Sequence, residues 1–221
     1  MFGFELLSNF KFPYFSRDIA EFWRRWHISL SSWFRDYLYI PLGGSRNGKY
    51  KAVRNTFIIF LVSGFWHGAS WNFIAWGFIH ACGFLPLLLL NRNRRYTTDI
   101  VAQGKTLPSL KELIQMLSTF AFVTIAWVFF RAETTRDALS YLTRIIHYYS
   151  NSENLLGNPK AKYALLYIFP LIFGDWLLKS NERILLFTSQ GFINRLIGYI
   201  LLIILFKFSI SSGSTFIYFN F

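Results

Sequence analysis

His67 has the setting that most suggests chemistry in this 221-residue chain. It stands in Ser63-Gly64-Phe65-Trp66-His67-Gly68-Ala69-Ser70, inside a stretch from Thr56 to Leu90 that holds no Asp, Glu, Lys or Arg. An ionisable side chain in so apolar a run is costly to keep there and marks function by default. An imidazole among apolar neighbours stays neutral and can accept a proton, as a general base must. Gly64, Gly68 and Ala69 are read as leaving space beside the ring, and Asn72 as its hydrogen-bond partner. The alternative is a buried histidine satisfied by a backbone carbonyl.

The other candidates are weaker on residue type alone. His27 sits at the edge of an apolar stripe, between Trp23 and Leu30 and just after Arg24 and Arg25. By itself it reads as an interfacial imidazole pairing with a carboxylate or a lipid phosphate. His80 would lie about 220° from His67 around a continuous helix, which makes it structural. His147 lies on the polar side of an amphipathic stretch and reads as solvated. The four histidines are too dispersed for a local metal motif, and no metal is expected. Cys82 is the sole cysteine, so no internal disulfide forms. Its neighbours Ala81, Gly83 and Phe84 suggest a buried thiol packed as a small hydrophobe. No nucleophilic serine elbow, Walker loop or dinucleotide glycine pattern is present, and Gly43-Gly44 is too short for a phosphate loop.

Membrane helices must position these groups. Residues 1–13 are an aromatic lead-in ending at Pro13. Ser16 is a candidate cap with Asp18 in the first turn. Ile19, Phe22, Trp23, Trp26, Leu30, Trp33, Phe34, Tyr37 and Leu38 then recur at helical spacing. The opposite face carries Asp18, Glu21, Arg24, Arg25, Arg35 and Asp36, with Glu21 and Arg25 spaced as an i,i+4 pair. This predicts an interfacial helical motif over 14–44, broken near Ser29, Ser31 and Ser32 and ended by Pro41, Gly43 and Gly44. Ser45 to Arg54 reads as a basic cytoplasmic loop.

The uncharged run over 56–90 is too long for one span and scarcely enough for two. It predicts a bent or broken membrane helix whose irregular backbone is buried in protein. Arg92, Arg94 and Arg95 follow it. A re-entrant hairpin puts both basic clusters on one side, and a long tilted span puts them on opposite sides. Further membrane helices are expected over 113–130, 163–178 and 184–206, with an interfacial stripe over 135–149 and a loop over 150–160. The predicted fold class is all-α, a single polytopic membrane domain over 1–221.

Composition agrees. Hydrophobic residues make up 53% and charged residues 15%, against about 25% charged in soluble domains. Aromatics at 21% suit two headgroup-level belts. The balance of 23 basic to 11 acidic residues would suggest nucleic acid in a soluble domain. Here the basic residues cluster between apolar runs, which points to membrane lipids instead. Glu5 stands where a signal peptide needs a basic region.

Two stretches carry a resemblance. One is Glu21-Phe22-Trp23-Arg24-Arg25-Trp26-His27-Ile28-Ser29-Leu30-Ser31, continuing through Trp33-Phe34-Arg35-Asp36-Tyr37-Leu38-Tyr39-Ile40-Pro41-Leu42-Gly43-Gly44. The other is Ser63 to Asn72, and Ala126-Trp127-Val128-Phe129-Phe130-Arg131-Ala132 adds to them. Together they resemble the membrane-bound O-acyltransferases, in their bacterial branch of alginate O-acetyltransferase and D-alanyl transfer proteins. The resemblance implies that His67 is catalytic and that His27 is the second required histidine. It implies acyl transfer from a thioester donor, acetyl-CoA or an acyl carrier protein, to a hydroxyl of a cell-surface polysaccharide or a partner protein. No tightly bound cofactor is expected. Arg24, Arg25 and Arg35 would hold donor phosphates, with solvated or lipid-facing arginines as the alternative. The implied place is the bacterial inner membrane, beside an extracytoplasmic acyltransferase partner. Members carry more helices before the equivalent of residue 1, so the chain corresponds to a C-terminal half, either a fragment or a split subunit. The competing expectation is a truncated, inactive membrane scaffold. A shared reaction centre predicts that His27 and His67 approach each other, with His80 elsewhere.

Overall fold

The computed structural model describes residues 8–46, 48–150 and 159–180. The chain divides into two compact units, Met1–Asp175 and Trp176–Phe221, and the architecture below is that of the first. The helix expected over 184–206 lies outside the described residues. Among the described residues every regular element is helical and none is a strand.

A 3-10 turn at Pro13–Phe15 leads into α1 (Ile19–Arg25). The cap is Asp18, whose Oδ1 accepts from the Glu21 amide at 2.7 Å. Ser16 turns its hydroxyl back to the Pro13 carbonyl. The break before α2 (Ile28–Phe34) falls at Trp26–His27, earlier than the serines. At the break His27 takes a left-handed backbone with φ 45 and ψ 56. α2 runs into a π-helical turn, Arg35–Tyr39, and the chain then turns through Gly43 and Gly44, both at positive φ. Glu21 does not face water as its sequence position suggests. It is fully buried between Arg17 at 3.0 Å and Arg25 at 2.8 Å.

α3 (Lys49–His67) begins inside the segment read as a basic loop, and α4 (Trp71–Leu89) follows after a break at Gly68–Ser70. A long continuous span is therefore excluded. The two helices are locked by reciprocal glycines. A Cβ on Gly64 would stand 2.3 Å from the Phe73 carbonyl oxygen, and one on Gly77 would stand 2.2 Å from that of Phe60. Lys49 Nζ reaches the Leu89 carbonyl at 3.3 Å, so the hairpin is antiparallel and its two basic clusters fall at one end. α5 (Leu110–Arg131) starts from a Ser109/Glu112 capping box and returns along α4. α4 and α5 are the described helices long and apolar enough to cross a membrane. α6 (Thr135–Ser150) is strongly amphipathic and seats Ala138 in a cluster with Trp76, Ala126 and Phe129. α7 spans Pro159–Leu178, with its last three residues counted in the second unit. Cys82 is exposed rather than buried. The buried face of α4 is Asn72, Trp76, Gly77, His80, Ala81 and Leu88, and Cys82 lies off it.

Candidate active site

His67 is the last residue of α3, half-buried against aromatic rings. Phe130 of α5 lies edge-on at 4.9 Å and Trp76 of α4 at 5.3 Å, with Trp66 and Phe73 beside them. The glycines around it do not leave open space. The room at Gly64 is taken by the α4 backbone, and a Cβ on Gly68 would stand 2.6 Å from the Phe73 ring. Small residues here let α4 close in, and α4 brings the aromatic wall. Asn72 is not bonded to the imidazole: its amide donates to the Ala132 carbonyl at 2.7 Å, fixing the α5–α6 turn. Its Oδ1 is buried without a partner.

His27 sits at the α1–α2 break, with a buried Nδ1 that has no partner. Rings connect it to His67. Its neighbour Trp26 contacts Trp127 at 5.1 Å. Trp127 contacts Phe130 at 5.2 Å and Trp76 at 5.9 Å, and both of these touch His67. His80 is fully buried. Its Nδ1 accepts from the Trp23 indole at 3.3 Å, and Phe22 and Phe60 stack on it.

The arginines divide into two groups. Arg24 donates to the carbonyls of Asn93 and Tyr96 at 2.8 and 3.0 Å. Arg25 holds Glu21 and the Asp99 carbonyl. Arg17 also holds Glu21 and Asp99, and lies over the Tyr96 ring at 3.8 Å. These three fold the α4–α5 connection onto α1. The sequence signal for Arg17 was its i,i+4 spacing to Glu21. Arg35 is exposed, paired with Asp36 at 2.7 Å.

Arg35 also lines a cavity of about 580 Å³. Asn91, Asn93 and Arg94 form its rim at the basic end of the hairpin, and Trp23, Phe34, Ile59 and Phe60 form an apolar wall. Ser31 and Ser63 line it too. Ser31 follows His27 by one helical turn and Ser63 precedes His67 by one turn, but neither imidazole is among the lining side chains. Such a lining suits a ligand with an anionic or polar group and an apolar portion.

Apolar helices long enough to cross a membrane, with His67 among their rings and His27 at the neighbouring α1–α2 break, fit a membrane-embedded class of protein. Residues 1–124 match the MBOAT, membrane-bound O-acyltransferase family, and the chain belongs to it. It is similar to the peptidoglycan O-acetyltransferase of Helicobacter pylori, 34% identical over all of this chain and 44% of that protein. It is similar to the probable alginate O-acetylase of Pseudomonas aeruginosa, 39% identical over 79% of this chain and 32% of that protein. The teichoic acid D-alanyltransferase of Streptococcus thermophilus is 36% identical over 59% of this chain and 34% of its own length. The chain spans less than half the length of these relatives.

Proposed function

We propose that the full-length gene product carrying this chain is a multi-pass O-acyltransferase of the bacterial inner membrane. It transfers an acyl group, acetyl first, from a thioester donor to a hydroxyl of a cell-surface polysaccharide or of an extracytoplasmic partner protein. The observation that carries the reading is His67 at the end of α3, set against the rings of Phe130 and Trp76, on the same helix as Ser63, which lines the cavity that Arg35 and Arg94 also line. His67 takes the proton of the acceptor hydroxyl as its oxygen attacks the thioester carbonyl. The tetrahedral intermediate collapses, the C–S bond breaks, and the thiolate is reprotonated. His27 orients the acceptor or returns that proton. Arg35 and Arg94 face donor phosphates of acetyl-CoA or an acyl carrier protein. Arg24 and Arg25 hold the loop that bears Asn93 and Arg94. The unpartnered Asn72 Oδ1 is available to an acceptor hydroxyl. Two relatives named for O-acetyl transfer support acetyl, and the teichoic acid relative makes D-alanyl the second choice.

The test is transfer of labelled acetyl by the full-length gene product in membranes. His67→Ala should lower the rate by about 10²–10⁴-fold, the usual worth of general-base help, with the protein still in the membrane. Undiminished activity in that variant removes His67 from the mechanism. No turnover by the unaltered protein with any polysaccharide acceptor would favour a non-enzymatic scaffold.

A further inference from the structure

The N-cap of α2 does not cap its own helix. An N-cap side chain ordinarily accepts a hydrogen bond from the second or third helical amide. His27 occupies that place and makes no such bond. Asn9 makes it instead: its Oδ1 accepts from the Ser29 amide at 3.0 Å, and its own carbonyl accepts from the Ile28 amide at 2.9 Å. Two residues on, the Lys11 amide donates to the Arg25 carbonyl at 2.9 Å, and the Arg25 guanidinium returns to the Lys11 carbonyl at 3.3 Å. Phe10, between them, lies edge-on to Trp26 at 4.9 Å and tilted against His27 at 5.9 Å. The segment Asn9–Lys11 is therefore laced to both sides of the α1–α2 break. A left-handed backbone is unfavourable for a residue with a side chain, so His27 holds it only because such outside bonds fix it.

We infer that Asn9 is a positioning residue for acyl transfer: by capping α2 in place of His27, it fixes the break and leaves the imidazole free for the reacting groups. This rests on the role proposed above for His27. A helix whose N-cap side chain serves as the cap has that side chain tied to its own backbone. Here the duty is moved to another segment, and the Nδ1 of His27 stays unpaired in a buried place. Asn9 touches no reacting group. Its effect passes through the position of His27, and small misplacements of a reacting group lower turnover steeply.

The experiment uses the full-length gene product in membranes, with labelled acetyl transfer and immunoblotting of the membrane fraction. Asn9→Leu keeps the volume and removes the acceptor. It should lower kcat by about 10²-fold, with the donor KM unchanged. Asn9→Asp keeps the acceptor and should stay within about threefold of the unaltered rate. On a His27→Ala background, Asn9→Leu should cost nothing further, because the group it positions is gone. Full activity in Asn9→Leu, a change in KM alone, or an equal further loss on the His27→Ala background would each overturn the inference. If His27→Ala is itself fully active, the role of His27 fails, which is a separate outcome. Should Asn9→Leu not accumulate, Asn9→Asp is compared with Asn9→Gln, whose carbonyl sits one methylene too far out. A fast Asp variant beside a slow Gln variant supports the inference, and equal rates overturn it.

Discussion

Asp18 serves as the cap of α1 while half-buried, and the two duties conflict. Burial pushes its carboxyl above the usual range, and its bond from the Glu21 amide and the nearby Arg24 offset this only in part. A raised native value means the folded state binds the proton more tightly than the unfolded one. That stabilisation is present below the ordinary Asp value and is lost as pH rises through the raised one. Asparagine caps as well as aspartate and carries no charge to desolvate. Asp18→Asn should therefore gain in melting temperature relative to the unaltered protein as buffer moves from acidic to neutral, measured in detergent. A gain that shrinks over that range would contradict this account. His67 stood out in the sequence by residue type and setting, and His27 only through the family resemblance. The burial of Glu21 was not. Its spacing to Arg17 and Arg25 shows that pairs can form, but only tertiary packing decides that both arginines close over one carboxylate.

The α3–α4 hairpin was legible as a break and illegible as a contact. Gly68 and Ser70 mark where the helix stops, whereas the role of Gly64 and Gly77 appears only when the backbones meet. The start of α3 at Lys49 was masked because its first turns carry Lys49, Lys51 and Arg54, which a search for apolar runs discards. Asn55 explains why the helix holds there: its amide donates to the carbonyls of Leu42 and Gly44, pinning the preceding turn onto α3. Gly64→Ala and Gly77→Ala should each destabilise the protein by about 1–3 kcal/mol through overpacking against a carbonyl. The double variant should lose less than the sum, because the second methyl enters a gap the first has already opened. Thermal melting of the four proteins measures this. Strict additivity would show that the two contacts yield independently.

At the scale of the molecule, the basic clusters around Lys49 and Arg92 share one end of the hairpin, while α5 carries the chain to the opposite end at Ala132. In a Cys82→Ser background, cysteines placed at Lys49 and Arg92 should react with an impermeant thiol reagent from the same membrane face. A cysteine at Glu133 should react from the other. Labelling of the Lys49 and Arg92 positions from opposite faces would break this topology. The sequence favoured a broken helix but left a re-entrant hairpin and a long tilted span both open. Charge patterning gives only the positions of the clusters, and deciding between the choices took the Lys49–Leu89 bond and the glycine contacts.

The reciprocal glycines also bear on how the chain enters the bilayer during synthesis. α4 has the length and apolarity of a membrane-crossing helix, and α3, with three basic residues and a buried asparagine, is not among the described helices that do. This predicts that α3 integrates together with α4, as one pair. In a glycosylation-tag reporter, α3 alone should fail to integrate and the α3–α4 segment should integrate. Gly77→Leu, which forces the pair apart, should return the longer segment to the behaviour of α3 alone.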